Sequence, residues 1–518
     1  MKVIIPTSGT GSRLHKLTKC INKSLIKIGD KFAICYIIES YPIQTEFIIT
    51  IGYKGKLVKD FLELAYPEHN FTFVKIDKFE GEGSSLGYSL YQTKKYIDSP
   101  FFFHCCDCLL ENTFKIIDDF DENIIYTYSS NKLSSDSYST VNAKNNYIIS
   151  INDKKANNYD SLYIGLSFIK NYELFFKILE QILLSNEYGT SLSDIHIMRQ
   201  MINNNVIFKN IKVTKWFDIG NINFISQYEN IFKCKYEVLY KSDESICFVN
   251  NRVIKFFIDK NRVSDRYERG KILGDLVPNL YDKRDNFFSM ELIDGHVLTK
   301  SYDNKEILNL LEWAINNLWI KKDNKDFKKV CYDFYITKTL QRVQLFKEKY
   351  GNYDHIIYIN GIKIKKIEDI LEEVEDTLIN EKQSYQFHGD FILDNIIKIK
   401  NSYRLIDWRE KFGDSLIDGD IYYDLAKLRH NIFVNHENIL NNLYDIKYEN
   451  DGVYVDLKCN YKNIIQIQDF DNFILKNKLN LEKIKILTSL IWLNMSPLHN
   501  KEFGMFLYFF GLYNLHIN

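Results

Sequence analysis

An apolar run at the start of the chain, MKVIIP, breaks into TSGTGSRL, and Lys23 follows Arg13 by ten residues. Glycines directly after a strand let the backbone approach a phosphate, and successive N–H groups form an anion cradle. Gly9, Gly11 and Ser12 supply that backbone, Arg13 adds a fixed cation able to pair two phosphate oxygens, and Lys23 adds a mobile one. Taken alone, such a loop can equally be a tight turn. A second constellation lies far down the chain: His388, Gly389 and Asp390 in FHGDFILDN, Asn395 five residues after the aspartate, and Asp407 in LIDW after an apolar strand. Cys105, Cys106 and Cys108 around Asp107 have the soft donors of a metal site. Strand alternation, however, sends Cys105 and Asp107 to one face and Cys106 and Cys108 to the other. No second Cys-x-x-Cys or histidine-rich partner accompanies them, so they read as small buried thiols.

Two regimes of elements must position these residues. MKVIIPTS, TEFIITIGY, FTFVKID and SPFFFHCCD read as strands, separated by helical patterns such as GKLVKDFLELAY and SSLGYSLYQTKKYI. Strands alternating with helices imply a mostly parallel sheet. From about residue 235 the pattern changes: YEVLYKSDESICFVNNRVIKFFID reads as antiparallel strands, DRYERGKILGDLV as a helix and NFFSMELIDG as another strand. Beyond about residue 303 the chain reads as mainly helical. The boundary is expected at 238/239, with a small β-rich lobe over about 239–300 and a helical lobe over 301–518.

Composition narrows the function classes. The 518 residues carry 67 basic against 68 acidic side chains, so no basic field exists to hold a nucleic acid. No run of about 18 apolar residues suggests a membrane span. Nine cysteines, an odd number, with no signal-peptide pattern read as reduced thiols of a cytoplasmic protein.

GTGSRLHKLTKCINKSLIKIGDKFAI resembles the signature of the sugar-phosphate and choline-phosphate nucleotidyltransferases, a G-x-G-[TS]-R-L loop followed by a lysine. Further segments resemble that family in order: GEGSSLGYSL with Gly83 for base and ribose contact, FFFHCCDCLL ending a strand at Asp107, INDKKANNYDSLYIGLSFI, and WFDIGNINFISQYENI with Asp218. The resemblance covers about residues 1–235 and implies a Rossmann-like domain with a mostly parallel mixed sheet. It implies Mg²⁺ on Asp107 and Asp218, and Arg13 and Lys23 offsetting charge as an acceptor phosphate attacks a nucleoside triphosphate. It places the acceptor phosphate at Lys154, with neighbouring Lys155 able to serve instead. Two departures stand out: Thr7-Ser8 precedes Gly9 where the family has small residues, and Asn22 stands where it usually has proline.

The HGD segment with Asn395 and Asp407 resembles the aminoglycoside phosphotransferase and choline kinase superfamily, a two-lobed protein-kinase-like α+β fold. The resemblance covers about residues 240–518, loosely over the last hundred. It implies that Asp390 orients the attacking hydroxyl and that Asn395 and Asp407 hold Mg²⁺ on ATP. Lys255 in RVIKFF corresponds to the phosphate lysine, and Glu268, or else Glu291, to its partner; the backbone of Met290–Leu292 would meet adenine. SDES replaces a glycine-rich loop, leaving Ser242 or Ser245 to contact phosphate, and no D-F-G is present. Asp418, Asp420 and Asp424 form an acidic cluster that could bind a cationic headgroup or simply cap a helix.

Fused, the two heads imply consecutive steps: a small alcohol or sugar, its phosphate, then an NDP-activated product for surface glycan or lipid headgroup synthesis. The residues leave open which triphosphate is used, CTP or another. They also leave open a kinase-like half that acts on an unrelated substrate or only senses nucleotide.

Overall fold

The computed structural model describes residues 1–518 except 112–114, 117–119, 130–132, 223–230, 233, 237–240, 301–302, 381–382, 435–438, 460 and the side chain at 300. The tail of the W-x-D-I-G segment, 223–230, therefore lies outside the described residues. The chain divides into two compact units, Met1–Val263 with Tyr281–Met290, and Ser264–Leu280 with Glu291–Asn518.

The first unit is built on strands β1 (Lys2–Pro6), β2 (Glu46–Ile51), β3 (Asn70–Lys75), β4 (Phe101–His104), β5 (Cys108–Leu110), β6 (Asn123–Tyr128), β7 (Thr140–Lys144), β8 (Tyr147–Asn152), β9 (Ser161–Ile169), β10 (Phe208–Lys212) and β11 (Trp216–Asp218). Among the described residues, nine of these form one sheet in the order β3-β2-β1-β4-β9-β6-β10-β8-β7, and β5 pairs with β11 apart from it. The side of β1 to β4 is parallel, with helix Gly55–Ala65 between β2 and β3 and helix Leu86–Tyr91 between β3 and β4. Buried Val3, Ile4, Ile5 and Phe101–Phe103 leave no polar face on the central strands, as burial from both sides requires.

Beyond β4 the expected parallel character gives way to a mixed arrangement. β9 runs antiparallel to β4 and β6, and β8 antiparallel to β7 and β10. The reason is local: among the described residues no helix separates β6 from β9, and β7 turns directly into β8 at Asn145-Asn146, both left-handed (φ 53° and 65°). Two adjacent left-handed residues make the hairpin turn that matches strand twist.

Asn250-Asn251 (φ 49° and 55°) makes a second such turn between β12 (Glu244–Val249) and β13 (Arg252–Phe257). With β14 (Leu280–Lys283) and β15 (Phe287–Glu291) these form a four-stranded sheet. Its apolar face belongs to the core of the first unit: Cys247, Val249, Ile254, Phe256 and Phe287 are buried together with Val3, Phe32, Phe61 and Ala65. Phe248 N–H donates to Asp30 O (2.9 Å), and Asn250 donates to Ala65 O (3.1 Å). The boundary expected at 238/239 thus falls inside this unit.

The second unit is mainly helical, including Asn304–Asn317, Lys338–Tyr350, Ile367–Ile379, Ile421–Phe433, Tyr461–Lys476, Leu481–Met495 and Lys501–Ile517. The reading of the chain beyond 303 as mainly helical did not single out a hairpin, Tyr444–Glu449 with Gly452–Leu457, that pairs with Tyr358–Ile359. A shorter hairpin, Ile396–Ile399 with Ser402–Leu405, carries the residues between Asn395 and Asp407.

Candidate functional site

In the first unit the glycine loop leaves β1 at Pro6 and is fixed at once by Thr7, whose N–H and hydroxyl both donate to Thr50 O (3.0 and 2.7 Å). Gly11 turns left-handed (φ 68°), and a Cβ there would stand 3.1 Å from Lys23 Cβ, so the loop closes directly on the lysine. Asn22, fully buried, explains how the chain does without proline. Its amide donates to Thr7 O (2.9 Å) and Tyr53 O (2.8 Å), while its oxygen accepts from Ser24 N–H (3.0 Å). Three segments meet at that one side chain, next to Lys23, which reaches Asp107.

Lys23 Nζ lies 3.0 Å from Asp107 Oδ2, and Arg13 Nη2 lies 3.8 Å from the same oxygen. Arg13 is 61% exposed against 20% for Lys23, which reverses the expectation that the arginine is the fixed cation. Asp107 sits in the turn between β4 and β5, and its carbonyl accepts from Ile219 N–H (3.1 Å). That turn interrupts the alternation expected through Cys105–Cys108; Cys106 and Cys108 are buried and Cys105 half-buried. Burial pushes all three thiols up, that of Cys106 to about 11.

Asp218 ends β11 and accepts from Tyr138 OH (2.8 Å) and Gly220 N–H (2.8 Å). A Cβ on Gly220 would stand 2.7 Å from Asp107 Oδ2 and 3.0 Å from Asp218 Oδ1, so both carboxylates face one glycine. Burial, then the charge of Asp107, raises Asp218 above the usual carboxylate range. Burial also works against Asp107, but Lys23 and Arg13 outweigh it and hold that carboxyl low. Lys23 is raised in turn, Asp107 overcoming the cost of burial. Two oxygen ligands sharing one repulsion beside a cavity of about 190 Å³ fit a hard divalent cation. That cavity is lined by Gly11, Ser12, Arg13, Lys23, Asp107 and Gly220.

Gly9 lies exposed on the same loop, without side-chain neighbours. Gly83 (φ 77°) is on the loop before helix Leu86–Tyr91, which reaches the glycine loop through Ser89 and Ser8 (Oγ–Oγ 3.1 Å). Lys154 sits on the exposed turn after β8, with no hydrogen bond or ion pair to the cluster among the described residues. Tyr138 was not legible in sequence, because SSDSYST carries neither glycine nor charge pattern around it.

In the second unit Asp390, Asn395 and Asp407 come together. Asn395 Nδ2 donates to Asp390 O (2.9 Å) and Oδ2 (3.1 Å), and Lys427 Nζ lies 2.8 Å from Oδ1. With its NH₂ committed, Asn395 has its amide oxygen left for a hard cation. Asp407 is left-handed (φ 55°), and Arg266 Nη1 holds its carboxylate at 2.5 Å. His388 is buried, Nδ1 accepting from Asp390 N–H (3.2 Å) and Nε2–H donating to Ile406 O (3.0 Å); burial pushes it down to about 4, so it is neutral. Asp424 accepts from His388 N–H (2.7 Å), Gly389 N–H (2.6 Å) and Trp319 Nε1–H (3.1 Å). Gly389 (φ 86°) has no room for a Cβ, which would lie 2.6 Å from Arg409 Cβ.

The acidic cluster is spent on structure. Asp420 caps helix Ile421–Phe433 through Tyr422 N–H (2.9 Å) and pairs with buried Lys483 (2.8 Å), and Asp418 takes Asn324 (3.3 Å) and the Ser415 hydroxyl. Lys255 is buried on β13 in the first unit. Glu268, in the second, takes Lys271 (3.2 Å) on its own helix, and Glu291 accepts from Asn279 (2.8 Å).

No family model matches the chain. A probable glucose-1-phosphate cytidylyltransferase of Bacillus subtilis is 34% identical over 90 residues, 17% of this chain. The chain spans about a third of that relative, 34% of its length. Among solved structures, the inositol-1-phosphate CTP transferase from T. maritima is 18% identical, covering 45% of this chain and 98% of that one at a TM-score of 0.36. The CTP:phosphocholine cytidylyltransferase from Streptococcus pneumoniae is 21% identical, covering 45% and 99% at 0.36. The similarity is to nucleotidyltransferases and lies in the N-terminal part.

Proposed function

We propose that the chain catalyses two successive transfers. One half, residues 239–518 in the sequence reading, phosphorylates a small alcohol or sugar with ATP. The other, residues 1–238, joins the resulting phosphate to a nucleotide from CTP or another triphosphate. The reading places the work in the cytoplasm and its product in surface glycan or lipid headgroup synthesis. Among the described residues no helix is long and apolar enough to cross a membrane.

The observation that carries the nucleotidyl transfer is Asp107, held low by Lys23 at 3.0 Å and facing Asp218 across Gly220. An acceptor phosphate oxygen forms a bond to the α-phosphorus, the α–β bridging bond breaks, and pyrophosphate leaves. Lys23, Arg13 and the loop N–H groups of Gly9–Ser12 stabilise the charge that builds on those oxygens. Gly83 lies where base and ribose contact is expected, and Lys154 remains the candidate for the acceptor phosphate. Mg²⁺, held by Asp107 and Asp218 in one half and by Asn395 and Asp407 in the other, would neutralise triphosphate oxygens when bound.

The phosphotransferase reading is supported by the convergence of Asp390, Asn395 and Asp407, with Asp424 fixing the backbone at His388 and Gly389. Asp390, kept ionised by Lys427 against the cost of burial, accepts the proton of the acceptor hydroxyl as its oxygen bonds to the γ-phosphorus and ADP leaves. Lys255 is the candidate phosphate lysine of that reading. A nucleotidyltransferase whose second half only senses nucleotide is the other reading, and the retained Asp390 argues against it.

The test is order of steps. Mass spectrometry of products follows ATP, the four nucleoside triphosphates and a panel of alcohols and sugars incubated with the full chain. Asp390→Asn should abolish NDP-product formation from the free alcohol, and added alcohol phosphate should restore it. A product formed from the unphosphorylated alcohol by the variant would sink the serial reading.

A further inference from the structure

The two oxygens of the Asp390 carboxylate look in different chemical directions. Oδ2 takes Asn395, on the side of Asp407; Oδ1 takes Lys427, on helix Ile421–Phe433. Around Lys427 stand three more basic side chains. Arg409 donates to Gly389 O (3.2 Å) and lies 5.5 Å from the Phe334 ring centre and 5.7 Å from that of Tyr423. Lys338 Nζ lies 4.0 Å from the Phe334 ring centre, so it shares that ring with Arg409. Arg342 follows one turn along the same helix. Lys338, Arg342 and Arg409 form no close ion pair among the described residues, although, against the cost of burial, the charges of Tyr423, Asp390 and Glu410 hold the Arg409 guanidinium above its ordinary value. Glu410, the nearby carboxylate, is taken by Arg266 at 3.2 Å. Asp418, Asp420 and Asp424 are bound into the fold as described above.

Like charges one helical turn apart destabilise a helix, and surplus cations beside a carboxylate that needs only one are not explained by folding. Burial and the charges of Arg409, Arg342 and Lys427 together push Lys338 down to about 6, a measure of how crowded the cluster is. Phe334, stacked on Phe412 (4.2 Å) and edge-on to Tyr423 (5.0 Å), gives the cluster a rigid wall. A bound anion would relieve the repulsion, and at Asp390 Oδ1 it would sit on the side away from Asn395.

We propose that the acceptor phosphorylated by the second unit carries a phosphate or carboxylate besides its hydroxyl, gripped by Lys338, Arg342 and Arg409. This rests on the phosphotransferase reading of Asp390, and it opposes a choline-like cationic acceptor. The acceptor oxygen forms its bond to the γ-phosphorus, the bond to the β–γ bridging oxygen breaks, ADP leaves, and the hydroxyl proton passes to Asp390.

The test measures ADP formation by the full chain with neutral sugars and polyols, their monophosphates and carboxylates, and choline. Turnover should be confined to the anionic acceptors. Arg342→Ala should raise their KM about tenfold or more, the worth of a charge-assisted hydrogen bond, with the KM for ATP unchanged and with partial rescue by Arg342→Lys. Equal turnover of neutral acceptors or choline overturns the proposal, as does a matching rise in the KM for ATP. Calorimetric titration of the full chain with inorganic phosphate separates the two readings. If no acceptor is turned over but phosphate binds, and Arg342→Ala weakens it tenfold where Arg13→Ala does not, the anion site stands and the phosphotransferase reading falls. If Arg342→Ala leaves phosphate binding untouched, the anion site falls.

Discussion

Each unit centres on a pair of carboxylates, and the pairs are neutralised differently. Asp107 takes both its cations from the stretch between Gly11 and Lys23, while its companion Asp218 is held by neutral donors, Tyr138 and Gly220 N–H. Asp390 and Asp407 each have a cation of their own, Lys427 and Arg266, and three further basic side chains crowd beside Asp390. At the first site burial and the charge of Asp107 raise Asp218, with Arg13 pulling the other way, and the proposed function puts a metal-bearing triphosphate there. The second gathers basic side chains, and the proposed acceptor there is anionic. Similar carboxylate pairs thus stand in different electrostatic surroundings, and the proposed ligands differ with them.

The largest effect should come from the carboxylate of the first pair. Asp107→Ala removes the group that orders Lys23 and faces Asp218, and should cut nucleotidyl transfer by about a thousandfold or more. ADP formation by the second unit should hold, and a pyrophosphate-release assay reads the loss. Near-normal transfer would remove Asp107 from the site and erase the comparison.

Next in size is the effect of dividing the chain at 238/239. The cut takes Cys247, Val249, Ile254, Phe256 and Phe287 out of the core of the first unit. Burying a large apolar side chain is worth roughly 1.5–3 kcal/mol, so the fragment 1–238 should melt on the order of ten degrees lower or fail to fold. Calorimetry of the fragment against the full chain decides; an unchanged first-unit transition would restore the boundary read from the sequence.

Asn22→Ala should have a smaller effect. It strands Thr7 O and Tyr53 O and loosens Lys23, and should lower kcat/KM for nucleotidyl transfer about ten- to a hundredfold. Restoration by added salt would show that the effect is not local.

The smallest effect sharpens the contrast in charge. Lys338 is held near 6 in the fold against an ordinary 10.5, so between those values the unfolded chain binds the extra proton. Its penalty is full below about pH 6 and fades as pH rises toward 10.5. Lys338→Met should therefore raise the melting temperature at pH 6 and change little at about pH 10. An equal rise at both values would trace the gain to packing instead of charge.

The sequence by itself determined the residue types at both centres. Glycine turns and carboxylates at strand ends are local patterns, so Arg13, Lys23, Asp107, Asp218, Asp390, Asn395 and Asp407 could all be singled out without coordinates. The alternation through Cys105–Asp107 misled, because a turn at Asp107 ends the strand. Only the tertiary structure decided which cation is held and which is loose, that Asn22 replaces proline with four hydrogen bonds, and that β12–β15 share the core of the first unit. It alone gathered Lys338, Arg342, Arg409 and Lys427, which lie in three separate stretches of chain, beside Asp390. Periodicity and motif spacing report on neighbours a few residues apart. Charge balance and core membership are sums over side chains brought together in space, and no local pattern encodes such a sum.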